Sequence, residues 1–101
     1  VGVFDIGRVL NAKTARSQLL GGMIWGISYA LQEHAVVDTR NGHFMTPDLG
    51  EYHVAVSADV PPIEIAFVEE VDDQANPVGA KGVGELGISG AGAAVAHAVY
   101  N

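Results

Sequence analysis

The sequence predicts an α+β fold: a mixed sheet with two main helices packed on one face. Three observations carry this reading. Residues 12–33 place apolar side chains at helical spacing. Short β-branched segments stand before and after that stretch. Residues 88–100 form a second helical run, rich in small residues. The resulting element order is β-α-β-β-β-α.

The first strand is predicted over Val1–Ile6, closed by the turn Asp5-Ile6-Gly7-Arg8. Asn11 is suited to cap the following helix, with Leu10 before it as a staple. That helix is predicted from Ala12 to Glu33, because Ala15, Leu19, Met23, Ile27 and Leu31 fall at four-residue steps. No charge occurs from Leu19 to Leu31, and Trp25 and Tyr29 add a further apolar face. The helix is therefore expected to be central and buried on most sides. Gly21, Gly22 and Gly26 each cost about 1 kcal/mol relative to Ala in a helix interior. Gly22 and Gly26 lie one turn apart and predict a notch for another backbone, with packing on the sheet as the plain reading. Lys13 and Arg16 in the first turn and Glu33 in the last oppose the helix dipole, so their partners are expected elsewhere.

A second strand is predicted at Ala35–Asp38. Thr39-Arg40-Asn41-Gly42 is a hairpin turn carrying the Asn-Gly signal, and His43–Met45 returns as its partner. Thr46–Pro62 is irregular, with Pro47, Gly50 and the pair Pro61-Pro62. Ile63–Val68 alternates as a further strand. The acidic run Glu69–Asp73 reads as a solvated loop. The closing helix is predicted over Ile88–Tyr100, with Ser89 as its cap.

At 101 residues the chain is long enough for one domain with its own core. It is 49% hydrophobic, which is apolar for its size, so some of its surface is expected to be covered by further protein. Both ends fall within apolar, structured stretches, and a longer parent polypeptide is expected. The net charge of −7 argues against nucleic acid and anionic membrane surfaces as partners. No span of about 18 or more uncharged apolar residues is present, so no membrane insertion is expected. There is no cysteine, hence no disulfide, thiolate metal site or cysteine-ligated cluster in this chain. The compartment stays open.

The chemistry centres on Gly79-Ala80-Lys81-Gly82-Val83-Gly84-Glu85. Lys81 is the only Lys or Arg after Arg40, in a stretch that holds nine carboxylates. A lone cation framed by glycines suggests a loop shaped around something anionic, since a bare backbone lets a ligand approach main-chain N–H groups. The plain alternative is a solvated turn ending in a helix cap. Gly82-Val83-Gly84-Glu85-Leu86-Gly87 matches G-x-G-x-x-G, but no strand precedes it directly and no acidic residue follows at the required distance. A Walker-type loop fails because Gly82 follows Lys81. His34, His43, His53 and His97 lack ligand spacing, so no protein-ligated metal is predicted. Gln18, just before the uncharged helix core, is either a surface amide or one held against a ligand.

Several motifs then occur in order: Asp5-x-Gly7-Arg8-Val9-Leu10-Asn11, Gln18-x-x-Gly21-Gly22, Gly26-x-x-x-Ala30-Leu31-x-Glu33, Asp59-x-Pro61-x-Ile63, and Asn76-Pro77-x-Gly79-Ala80-Lys81-Gly82-Val83-Gly84-Glu85. Together they resemble the molybdopterin-binding subunit of the xanthine dehydrogenase and aldehyde oxidase family. The likeness spans essentially the whole chain, which corresponds to a C-terminal segment (residues 1–101) of that larger molybdopterin-binding domain. Leu86-Gly87-Ile88 after the glutamate is similar to the bacterial aldehyde or heteroaromatic oxidoreductase branch. The resemblance implies a molybdenum hydroxylase that oxidises aldehydes or N-heterocycles with oxygen from water. It implies Glu85 as general base, with Gln18, Lys81, Gly82, Val83 and Gly84 against the molybdopterin cofactor. It also implies iron–sulfur clusters and FAD in other domains or subunits, and no activity for the segment alone. A non-catalytic cofactor-binding or interaction module of the same fold is the alternative.

Overall fold

A computed structural model describes residues 1–101. Asn11 fixes the start of the one long helix, α1 (Ala12–Leu31). Its side chain accepts hydrogen bonds from the main-chain N–H groups of Lys13 and Thr14 at 3.1 and 3.2 Å. Two of the donors that a helix start leaves unpaired are thereby satisfied. At the other end the N–H groups of Gln32 and Glu33 both donate to the Ser28 carbonyl, and the helix closes short of Glu33.

The strands are β1 (Gly2–Phe4), β2 (Val37–Asp38), β3 (His43–Phe44) and β4 (Ile65–Phe67); α2 (Leu86–Ser89) and α3 (Ala91–Tyr100) follow. The α+β class holds, as two separate strand pairs rather than one continuous mixed sheet. β1 and β4 run parallel, with Gly2 opposite Ile65 and Phe4 opposite Phe67. β2 and β3 form an antiparallel hairpin, with Asp38 opposite His43. The hairpin leaves Val37 and Phe44 exposed, so no buried face joins it to the other pair.

Only ten of the 101 residues are buried. Five of them are glycines: Gly2, Gly7, Gly26, Gly79 and Gly87. The apolar core is Ile6, Ala15, Leu19 and Ile65. The core is thus small for a chain long enough to build a larger one. The expectation that α1 is buried on most sides is corrected, because Trp25 and Tyr29 are 61% and 68% exposed. One side of α1 packs on α2 and α3. The predicted notch is real, but it receives helices and not the sheet. A Cβ on Gly22 would lie 2.7 Å from the Ile88 nitrogen, and one on Gly26 2.9 Å from the Gly92 nitrogen. Reciprocally, a Cβ on Gly87 would lie 2.9 Å from the Leu19 Cα. Backbone meets backbone here, which only glycine permits.

Of the three unfavourable charges at the ends of α1, Arg16 and Glu33 find partners and Lys13 has none. Arg16 donates to the Ile65 carbonyl at 2.8 Å and ties the helix to β4. Glu33 accepts from the Ser28 hydroxyl and the Tyr52 hydroxyl, both at 2.7 Å. Ser28 Oγ also accepts from the Ala55 N–H at 2.9 Å, so the irregular segment after β3 is strapped to the end of α1. Ser89 does not cap the last helix. It ends α2 and donates to the Glu85 carbonyl at 2.9 Å, and Gly90 separates α2 from α3. No helix is long and apolar enough to cross a membrane.

Candidate functional site

The loop between β4 and α2 is laid across the end of β1. Gly79 adopts φ 74°, a left-handed conformation that L side chains rarely accept. Its carbonyl accepts from the Arg8 N–H at 2.6 Å, and the Lys81 N–H donates to the Ile6 carbonyl at 2.9 Å. Gly7 and Ala80 pair as an isolated antiparallel bridge. Asn76 stiffens the approach: its Oδ1 accepts from the N–H groups of Val78 and Gly79, and its Nδ2 donates to the Ala80 carbonyl at 2.7 Å.

Lys81, the lone cation of this half of the chain, faces carboxylates of the chain itself. Its Nζ lies 2.5 Å from Asp5 Oδ2 and 3.3 Å from Asp72 Oδ2. The hydrogen bond from Lys81, joined by one from the Gly7 N–H, holds the Asp5 carboxyl below its ordinary value. Asp72 is lowered chiefly by the Ala75 N–H and then by Lys81. The Lys81 ammonium is raised by the same contacts, Asp5 foremost. Asp5 is not legible as its partner from the sequence, because it lies 76 positions away.

Beyond Lys81 the backbone is bare. A Cβ placed on Gly82 or Gly84 would meet nothing within 4 Å. Glu85 then opens α2, and its side chain makes no capping hydrogen bond. The carboxylate is exposed. It lines a cleft of about 490 Å³ between α1 and the start of α2, shared with Gln18, Gly21, Trp25, Gly84 and Ile88. Glu85 is the one charged residue in that lining. Gln18 also borders a second cleft of about 200 Å³ with Arg8, Thr14, Lys81 and Val83. The fold therefore brings Gln18 together with Gly84 and Glu85 on one side and with Lys81 and Val83 on the other. Gly82 lines neither cleft. Helical spacing alone marks Gly21 and Trp25 only as helix-face residues; their place in the lining shows once α2 is docked. No three His, Asp or Glu side chains gather to hold a metal ion.

Chemically, the larger cleft offers an amide that can both donate and accept, a carboxylate with no partner in its cap position, and a glycine-bare wall. Its volume suits a small organic group.

Comparison with known proteins shows the family of the chain. The sequence profile of the molybdopterin cofactor-binding domain matches residues 1–61. The chain is 50% identical over 95 residues to the aldehyde oxidoreductase molybdenum-binding subunit PaoC of Escherichia coli, covering 94% of this chain and 13% of that protein. It is 37% identical over 97 residues to the putative xanthine dehydrogenase molybdenum-binding subunit XdhA of the same organism, covering 96% and 13%. Quinoline 2-oxidoreductase from Pseudomonas putida 86 superposes with a TM-score of 0.81 at 32% identity, over 92% of this chain and 12% of that one. The chain thus spans about 13% of the length of the curated relatives it matches. It belongs to the molybdopterin cofactor-binding domain family, in the group of molybdenum-binding subunits of the xanthine dehydrogenase and aldehyde oxidase family.

Proposed function

We propose that this family member forms one wall of the catalytic site of a molybdenum hydroxylase acting on an aldehyde or an N-heteroaromatic compound. The observation that carries the reading is the meeting of Gln18, Gly84 and Glu85 on one cleft, with the Glu85 carboxylate uncommitted to its own helix. The residues present fit a pterin-type group: the faces of Gly21 and Gly84 are open, and the Gln18 amide can pair with ring donors and acceptors. Gln18 and the main chain of Lys81, Gly82, Val83 and Gly84 would hold the cofactor. When bound, the molybdenum cofactor supplies the two-electron oxidation. Glu85 would accept the proton from the water that supplies the oxygen, the work of a positioned general base. Trp25 and Ile88 add apolar surface to the same lining.

The substrate class follows the relatives named for aldehyde and quinoline oxidation. Since this chain has no cysteine, iron–sulfur clusters would sit in other domains or subunits, together with FAD. We place the segment in the C-terminal part of the parent subunit. The test is Glu85→Gln in the full-length parent. Molybdenum content should be kept while turnover falls by about 10²–10⁴-fold, the contribution of a positioned base. A variant with full metal and near-normal single-turnover reduction would remove Glu85 from the mechanism.

A further inference from the structure

We infer that Lys81, Asp5 and Asp72 form a latch that fixes the loop carrying Glu85, and that all three are positioning residues rather than ligands of an anion. This deepens the cofactor-site reading and rests on it for what the loop faces.

Charge favours the latch. One ammonium lies between two carboxylates at 2.5 and 3.3 Å, so the trio carries a net charge of −1 at neutral pH. An approaching anion would meet that net negative charge and not a free cation. Placement favours it as well. Asp5 follows β1, Asp72 lies in the acidic stretch after β4, and Lys81 stands in the glycine loop. The ammonium therefore ties three segments together, at the point where the main chain of residues 79–81 is already hydrogen-bonded to Ile6, Arg8 and Asn76.

The chain immediately after Lys81 is loosely held. Residues 82–84 include two glycines with open surroundings, and Glu85 comes next. From α2 onward the chain is held again, by Gly87 against Leu19. The position of Glu85 is thus set from two anchors, with a free stretch between them. Releasing the first anchor would hand the wide conformational freedom of glycine to the loop, which ordering around a ligand would then have to remove.

The experiment uses the full-length protein that carries this chain, as Lys81→Met, Lys81→Arg, Asp72→Asn and the double variant Asp5→Asn/Asp72→Asn. Amide hydrogen exchange at Arg8 and Lys81 is read in cofactor-free protein, and molybdenum and pterin content after reconstitution. Lys81→Met and the double variant should both speed exchange at these amides by about 1.5- to fivefold, the range of partly exposed ion pairs. Both should retain less cofactor. Lys81→Arg should restore protection, and Asp72→Asn, which breaks only the longer pair, should give a smaller effect in the same direction. The opposite pattern overturns the latch: Lys81→Met loses cofactor, the double variant retains or gains it because the ammonium is freed, and exchange is unchanged. Exchange in cofactor-free protein is independent of the role of Glu85. An inactive latch with a slow Glu85→Gln variant sinks only the latch; a responsive latch with a fully active Glu85→Gln variant sinks only the proposed base.

Discussion

Gly21 and Gly22 are neighbours in α1 with opposite surroundings. A Cβ on Gly22 would strike α2, whereas a Cβ on Gly21 would meet nothing within 4 Å and would point into open space at the larger cleft. Gly21→Val should therefore leave stability within about 0.5 kcal/mol, as for a surface substitution, while filling space beside Gln18. The expected outcome is an unchanged melting temperature with reduced molybdenum content in the full-length protein. Full metal loading and normal turnover would show that the Gly21 side of the cleft is not used. The Lys81 trio gives a second test at this scale, through pH. The Asp5 and Asp72 carboxyls are held below their ordinary value of 3.8, so their contribution is present above that value and is lost as pH falls through the lowered ones. The Lys81 ammonium is raised above its ordinary 10.5, so its contribution is present below that value and lost as pH rises through the raised one. Protection factors at the Lys81 and Arg8 amides should be flat across neutral pH and fall below about pH 3.8. A fall already at mildly acidic pH, well above that value, would mean that another group governs the loop.

Among the elements, α1 is the most legible in the sequence, and the reason is that its signals are local. Asn11 caps through bonds to residues two and three positions on, and the apolar spacing lies within one segment. The strands are shorter than their sequence patterns. Val1–Ile6 keeps only Gly2–Phe4 in a ladder and Ile63–Val68 only Ile65–Phe67, because each strand has one neighbour and pairing stops where that neighbour ends. Ser89 has the chemistry of a cap but not its place, since it ends α2 and Gly90 divides the last helical run. Of the site, glycine spacing singles out Glu85 and its loop, but the convergence of Gln18 on Glu85 depends on helix docking that no local pattern encodes. That docking yields its own test. Gly26→Val would drive a branched side chain into the backbone at Ala91–Gly92, an overpacking that typically costs about 1–3 kcal/mol. The full-length variant should melt clearly lower than wild type. An unchanged melting temperature would mean that α3 can step away from α1 without loss.

At the scale of the whole molecule, the chain is extended. Its radius of gyration is 17.1 Å and its extents are 55 × 27 × 25 Å, whereas a globular chain of about 100 residues has a radius near 13 Å. The accessible surface is 7298 Å², against about 5,400 Å² for a folded monomer of 10.5 kDa. Large apolar side chains contribute to it: Trp25, Tyr29, Leu49, Val99 and Tyr100 are each more than 60% exposed. Four apolar residues in the core are few to set against the entropy of ordering a chain of this length. Residues 1–101 expressed alone should therefore bind a hydrophobic dye such as ANS, melt without a sharp transition and show no hydroxylase turnover with added cofactor. The full-length protein should do the reverse on all three counts. A sharp thermal transition in the isolated segment, with no dye binding, would mean that backbone-to-backbone packing through Gly22, Gly26 and Gly87 is enough to hold the fold. In that case the cleft between Gln18 and Glu85 would be preformed in the segment itself, and weak cofactor binding by residues 1–101 would become the measurement to make.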